Sequence, residues 1–233
     1  MTTSFILVNP TVPENIGAAA RAIKTMGFSN LRLISPCDYL CEKALMLAHG
    51  SHDILKNAMV FGSLADALVD IDFSIATSAK QRWVKQNVIN IREINSFIEN
   101  KGNTINNLAF VFGGEESGLS NENISLCDIV STINLAEPFP SLNLAQAVMV
   151  FAFSLSGLYQ KRNKEFQGES YCMSYKPLKE KVISILHEIG IPSESLVHGR
   201  VLERLANTDA QDIKLLHSVT TKIIERLRKK DKK

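Results

Sequence analysis

Little in this 233-residue chain looks like the framework of a small secreted domain. Its four cysteines, Cys37, Cys41, Cys127 and Cys172, are scattered, with no C-x-x-C pair. That spacing argues against a disulfide framework and for reduced, mostly buried thiols in a cytosolic protein. His49 and His52 lie close together but lack a third ligand, so a structural or surface role is expected and no metal. The opening MTTSFILVNP has neither the basic start nor the long apolar core of a secretory signal. The most apolar helix, Leu144 to Tyr159, is short for a bilayer and interrupted by Gln146, Ser154, Ser156 and Gly157. It reads as a core or subunit-interface helix. A cytoplasmic protein without a membrane segment is the expectation, and no internal repeat is visible.

What is present describes an ordinary globular protein, with 45% hydrophobic and 21% charged residues. Net charge is only +2, but it is unevenly placed. Lys222 to Lys233 holds seven basic and two acidic residues, a surplus of five, so the rest is net −3. Those cations suit either a solvated helix end, through the helix dipole, or an RNA phosphate chain.

Strands alternate with helices along the first 160 residues, which predicts a mostly parallel α/β sheet. Phe5 to Val8 reads as the first strand. Pro13 and Glu14 then open a helix whose inward stripe is Ile16, Ala19, Ala20, Ile23 and Met26, closed by Gly27. Leu31 to Ile34 and Met59 to Phe61 read as strands, separated by two short helical pieces broken near Gly50-Ser51. Phe73 to Thr77 is another buried strand, running into Thr77, Ser78 and Ala79. Lys80, Arg82, Trp83 and Lys85 follow in a polar loop, a pattern suited to RNA phosphates and a stacked base.

The stretch that organises the rest is AFVFGGEESGLS, followed by IVSTINLAEPFPSLNLAQAV. Each half is an apolar strand that spills into a loop marked by glycine or proline, so one pocket built from both strand ends is expected. Gly113 and Gly118 have P-loop spacing, but Leu119 stands where the phosphate-binding lysine belongs. Glu115 and Glu116 inside that loop would repel a triphosphate. There is no G-x-G-x-x-G, which disfavours a dinucleotide enzyme such as a dehydrogenase. The loop suits a ligand with little phosphate and some positive charge.

Three motifs carry a resemblance: Asn15-Ile16-Gly17 with Arg21, then Phe112-Gly113-x-Glu115-x-x-Gly118-Leu119, then Ser141-Leu142-Asn143-Leu144. In order and separation they resemble the SPOUT superfamily, in its TrmH/TrmJ-like group of tRNA/rRNA 2′-O-ribose methyltransferases. The resemblance covers about the first 160 residues. It implies a deep trefoil knot formed by the loops near Phe112 and Leu135, S-adenosylmethionine as cofactor, RNA as substrate and a homodimer. The cofactor residues implied are Thr77, Ser78, Ala79, Gly113, Ile133, Leu135, Ser141, Leu142 and Asn143. The catalytic set implied is Arg21, Asn15, Glu115 and Asn143, with Arg21 also touching RNA. Many relatives carry arginine where this chain has Gly114.

Arg21 lies four residues after Gly17, with room over the glycine expected for its guanidinium. Asn15 suits a cap, a turn brace or a hydrogen bond across the pocket; Glu115 suits either chemistry or loop bracing. After Tyr159, residues 161–175 read as a polar linker and 176–233 as a helical extension, placed like that of the TrmJ-like branch. Pro177 opens its first helix, and Leu215, Leu216, Val219, Ile223 and Leu227 give the last one an apolar packing face. This branch makes tRNA the expected substrate, with the anticodon-loop ribose at position 32 as the specific choice. Ribosomal RNA, or a catalytically silent RNA-binding role, are the alternatives.

Overall fold

A computed structural model of the chain describes residues 1–79, 88–137, 141–165 and 174–230. The chain divides into two compact units, Met1–Asn95 with Asn107–Phe166, and Ser96–Asn106 with Gln167–Lys233.

The first unit begins with β1 (Thr2–Val8), α1 (Pro13–Thr25) and β2 (Asn30–Ile34). Short helices α2 (Glu42–Leu47) and α3 (His52–Lys56) lead to β3 (Met59–Phe61) and α4 (Leu64–Ala67). Then come β4 (Phe73–Thr77), β5 (Val88–Asn90) and α5 (Ile94–Asn100), whose last five residues fall in the second unit. The unit closes with β6 (Asn107–Gly113), α6 (Asn121–Leu126), β7 (Ile129–Thr132) and α7 (Leu144–Glu165). Every ladder is parallel, in the order β3-β2-β1-β6-β4-β7-β5.

Side chains alternate across this sheet, so β1 feeds two cores at once. Phe5 points to an aromatic group with Phe28, Phe110 and Phe112, and Phe151 of α7 meets Phe110 and Phe112 at 5.5 Å. Ile6 and Val8 join Ala109, Val111 and Val130 in the opposite layer, covered by Leu64 and Ala67 of α4 and Ile124 of α6. A sheet buried on both faces needs continuous apolar strands, which is what Leu108 to Phe112 supplies.

Several sequence expectations change here. β5 and α6 were not foreseen: β5 is three residues long, and α6 opens on a Ser120 hydroxyl that accepts the Asn123 N–H. Helix α7 continues to Glu165 rather than yielding to a linker after Tyr159, because its polar continuation contains no proline or glycine until Gly168. Of the three described cysteines only Cys127 is buried; Cys37 and Cys41 lie on a partly open loop and helix cap.

The second unit contains α8 (Tyr175–Glu188), α9 (Leu196–Ala206) and α10 (Ala210–Lys230). α8 starts two residues before Pro177, which its first turn tolerates. The unit also incorporates Ser96–Asn106, an insert that periodicity does not reveal. Lys101 is 1% exposed; its ammonium donates to the carbonyls of Ala206, the last residue of α9, and Thr208 just after it, and lies over the rings of Phe97 and Tyr175. The apolar face expected on α10 is covered only in part, with Leu216 and Leu227 half-buried. Leu215, Val219 and Ile223 are exposed, and the buried stripe is Ile213, His217 and Thr220. Those polar residues bury because they are bonded: His217 Nε2 lies 3.0 Å from the Ser174 carbonyl and Thr220 donates to Leu216 O.

Candidate functional site

Parallel strands release their loops at the carboxyl edge of the sheet, where ligands of such sheets bind. At that edge a cavity of about 390 Å³ opens between the ends of β4, β6 and β7 and the start of α7. β4 contributes Thr77, Ser78 and Ala79; the segment after β7 contributes Ile133 and Leu135. The turn after β6 supplies Gly113 through Leu119, and Ser141, Leu142 and Asn143 lead into α7, whose Ala147 and Phe151 complete the wall. All nine residues expected to hold a cofactor therefore line one cavity.

The strand ends are tied together. Thr77 Oγ1 donates to the Val111 carbonyl at 3.0 Å, and Ser78 N–H donates to Ser131 O at 3.1 Å. The turn after β6 is folded tightly on itself: a Cβ on Gly113 would lie 2.0 Å from the carbonyl carbon of Gly118. Gly118 itself has φ +66°, the left-handed region that glycine adopts without cost.

A chain of hydrogen bonds joins the three motifs. The Glu115 Oε2 accepts from Thr11 N–H at 3.0 Å and from the Thr11 hydroxyl at 3.1 Å. Its Oε1 accepts from Asn15 Nδ2 at 2.8 Å. Asn15 Oδ1 in turn accepts from Asn143 Nδ2 at 2.8 Å. Asn143 then caps α7: its Oδ1 takes the Ala145 N–H and its own N–H donates to Gln146 Oε1. This is a reciprocal capping box, readable in the sequence as Asn143-x-x-Gln146. Thr11 had no such signal and was missed.

Burial alone pushes the Glu115 carboxyl up, but the Thr11 N–H, the Asn15 amide and the Thr11 hydroxyl outweigh it, so its pKa falls below the ordinary glutamate value. Burial and then the Glu115 charge push the nearby Cys37 thiol up. Both Glu115 oxygens are thus engaged by donors of the protein, which favour its ionised form. Glu116 also lines the cavity, is exposed, and has no bonded partner among the described residues. Two carboxylates and no cation face the cavity among the described residues.

Asn15 does not line the cavity but touches both residues that do. Arg21 neither lines it nor bonds to any of them; it is exposed and its guanidinium has no bonded partner among the described residues. The room expected over Gly17 is taken by α2, since a Cβ there would sit 2.1 Å from the Ala44 carbonyl oxygen. Gly17 lets two helices touch; it does not cradle Arg21. Lys80, Arg82, Trp83 and Lys85 lie outside the described residues. No group of three His, Cys, Asp or Glu residues suited to a metal occurs among the described residues, and no described helix is long and apolar enough to cross a membrane.

The SpoU rRNA Methylase family matches residues 2–153. The chain belongs to this family. Residues 173–227 of this SpoU methylase match the C-terminal domain of the tRNA/rRNA methyltransferase LasT. The uncharacterised tRNA/rRNA methyltransferase LasT of Escherichia coli K12 is 36% identical over 217 residues, covering 93% of this chain and 95% of that protein. The tRNA (cytidine-2′-O-)-methyltransferase TrmJ of Methanocaldococcus jannaschii is 36% identical over 156 residues, 65% of this chain and 66% of that one. The crystal structure of TrmJ from Z. mobilis ZM4 is similar over 96% of this chain and 99% of that chain, with TM-score 0.66 and 26% identity.

The register of β1 against β6 sets Gly113 beside Val8, which brings Gly114 against Asn9. A Cβ on Gly114 would lie 2.5 Å from the Asn9 carbonyl oxygen, so the glycine is matched to this packing and an arginine requires the β1–α1 loop to shift.

Proposed function

We propose that this SpoU methylase is an S-adenosylmethionine-dependent RNA 2′-O-ribose methyltransferase that acts on tRNA in the cytoplasm as a homodimer, at the ribose of anticodon-loop position 32. The observation that carries the reading is the hydrogen-bonded chain from Thr11 to Asn143, which ties all three motif segments together around a cavity that, among the described residues, is lined by two carboxylates and no cation. S-adenosylmethionine fits such a site: it carries net positive charge, and its adenine needs apolar walls with backbone partners, as Ile133, Leu135 and Leu142 offer. When bound it supplies an electrophilic methyl group. The reading includes a deep trefoil knot in the segments after β6 and β7, supported by family membership.

In this reading Ser141, Leu142 and Gly113 hold the donor, and Thr77 to Ala79 border it. Arg21 grips the phosphate beside the target ribose and orients its hydroxyl. A guanidinium stays protonated, so the hydroxyl proton passes to that phosphate or to water. Alignment is then the main catalytic lever. Because Arg21 does not line its own chain's cavity, it serves the neighbour's cavity in a homodimer. Phe153, 68% exposed on α7, supports that interface. Lys80, Arg82, Trp83 and Lys85 extend the RNA contact.

The family description favours ribosomal RNA as the second reading, but the relatives named for tRNA, and the TrmJ structure that is similar over nearly the whole chain, favour tRNA. The deciding experiment incubates the protein with labelled S-adenosylmethionine and either undermodified tRNA or ribosomal RNA, then maps the methylated ribose by mass spectrometry. Label at ribose 32 of tRNA is expected; label only in ribosomal RNA moves the substrate, and none in either means a silent relative. An Arg21→Lys variant is expected to keep donor affinity and lose turnover by about tenfold or more. Near-full turnover removes the bidentate role.

A further inference from the structure

We propose that Thr11 is a positioning residue of the donor cavity, setting through Glu115 the direction in which Asn15 and Asn143 present their amides. This rests on reading the cavity as the S-adenosylmethionine site. The argument is one of hydrogen-bond polarity. A backbone N–H can only donate. Thr11 N–H therefore obliges Glu115 Oε2 to accept, and the Thr11 hydroxyl donates to the same oxygen.

With Glu115 held as an acceptor, Asn15 must turn its Nδ2 towards Oε1, which leaves its Oδ1 facing Asn143. Asn143 must then offer Nδ2 to Asn15, which frees its own Oδ1 for the Ala145 N–H at the start of α7. Every amide in the series has one permitted orientation, fixed from the Glu115 end by Thr11 and from the α7 end by the Ala145 N–H. If Glu115 instead became a donor, Asn15 and Asn143 would both have to reverse, and α7 would lose its cap. The segment 141–143 that lines the cavity is the one that would move.

Among the described residues, little else facing Glu115 can hold it as an acceptor. The β2–α2 loop brings the Cys37 thiol, with Asp38 and Cys41 around it, and these oppose negative charge on one another. Glu116 is the next residue of its own loop. Glu14 of α1 is paired with Lys43 and the α7 contributions, Asn143 and Gln146, are neutral. Thr11 is exposed, so removing its hydroxyl leaves the two cores intact.

The test uses the full chain as Thr11→Val and Thr11→Ser, with S-adenosylmethionine binding followed by calorimetry from about pH 7 to pH 3 and Glu115 followed by carbon-13 NMR over the same range. Thr11→Val is expected to bind roughly five- to tenfold more weakly, with KM for the donor raised and kcat little changed. Its loss of affinity begins at higher pH than in the wild type, and Glu115 titrates higher. Thr11→Ser restores wild-type behaviour. The proposal is overturned if Thr11→Val matches the wild type, if Thr11→Ser is equally impaired, or if affinity falls with the Glu115 titration unmoved. If the wild type binds no S-adenosylmethionine, the donor reading fails, and the Glu115 titration alone still decides the role of Thr11. Should Thr11→Val not fold, Thr11→Ala takes its place.

Discussion

Asn143 donates its side-chain N–H to the side-chain oxygen of Asn15 at 2.8 Å, across 128 positions of sequence. That single contact joins the first turn of α1 to the cap of α7, and it makes the two asparagines mutually dependent. Asn15→Ala is expected to weaken S-adenosylmethionine binding about tenfold, because Glu115 loses one donor and Asn143 loses its acceptor. Asn15→Asp should be worse, since it sets a second carboxylate against Glu115. Calorimetry on the two variants checks this; an aspartate variant that binds like the wild type would remove the network from the site.

Glu115 should leave a signature in the acid stability of the protein. Its folded pKa is lowered, so its bonds with Thr11 and Asn15 contribute fully above the ordinary glutamate value and are lost as pH falls through the folded value. Urea unfolding of the wild type and Glu115→Gln should therefore differ by a constant amount above about pH 5 and converge towards pH 3. A gap that stays constant across that range contradicts the assignment.

Three glycines separate close approach from simple flexibility. Gly17→Ala and Gly113→Ala each drive a methyl group into backbone, against Ala44 and Gly118. Each is expected to cost roughly 2–3 kcal/mol in thermal or urea unfolding. Gly157 sits inside α7 with nothing within 4 Å of a built Cβ, so Gly157→Ala should instead add about 0.5–1 kcal/mol. Equal effects at all three positions would show that space is not what these glycines provide.

Among the described residues Glu116 is the cavity carboxylate without a bonded partner, Glu115 being held by Thr11 and Asn15. S-adenosylmethionine carries one more positive charge than the demethylated product. Glu116→Gln should thus weaken donor binding by about two- to fivefold and leave product binding unchanged, as suits an exposed charge pair. Titrating both ligands against both proteins gives the ratio directly; an unaltered ratio means Glu116 does not read the charge.

The parallel sheet was legible because its strands are unbroken apolar runs such as Leu108 to Phe112, and burial on both faces demands that pattern. The loops that line the cavity were legible because glycine and Asn143 mark backbone that must turn or cap. Less was readable where tertiary contacts override local pattern. β5 is too short to show a period, and α10 turns Leu215 and Val219 outward while burying a bonded His217. Gly17 looked like space for Arg21, but what fills that space is Ala44, 27 positions downstream.

Sequence alone therefore determined most of the longer elements, the three motifs and the family they imply, because each depends on neighbours a few residues apart. Only the fold decided which motif atoms meet. Thr11, Asn15, Glu115 and Asn143 become one directed series of bonds because parallel strands β1 and β6, far apart in the chain, run side by side and end at the same edge. Periodicity is a property of local backbone geometry; the direction of a hydrogen bond depends on which donor finally faces which acceptor.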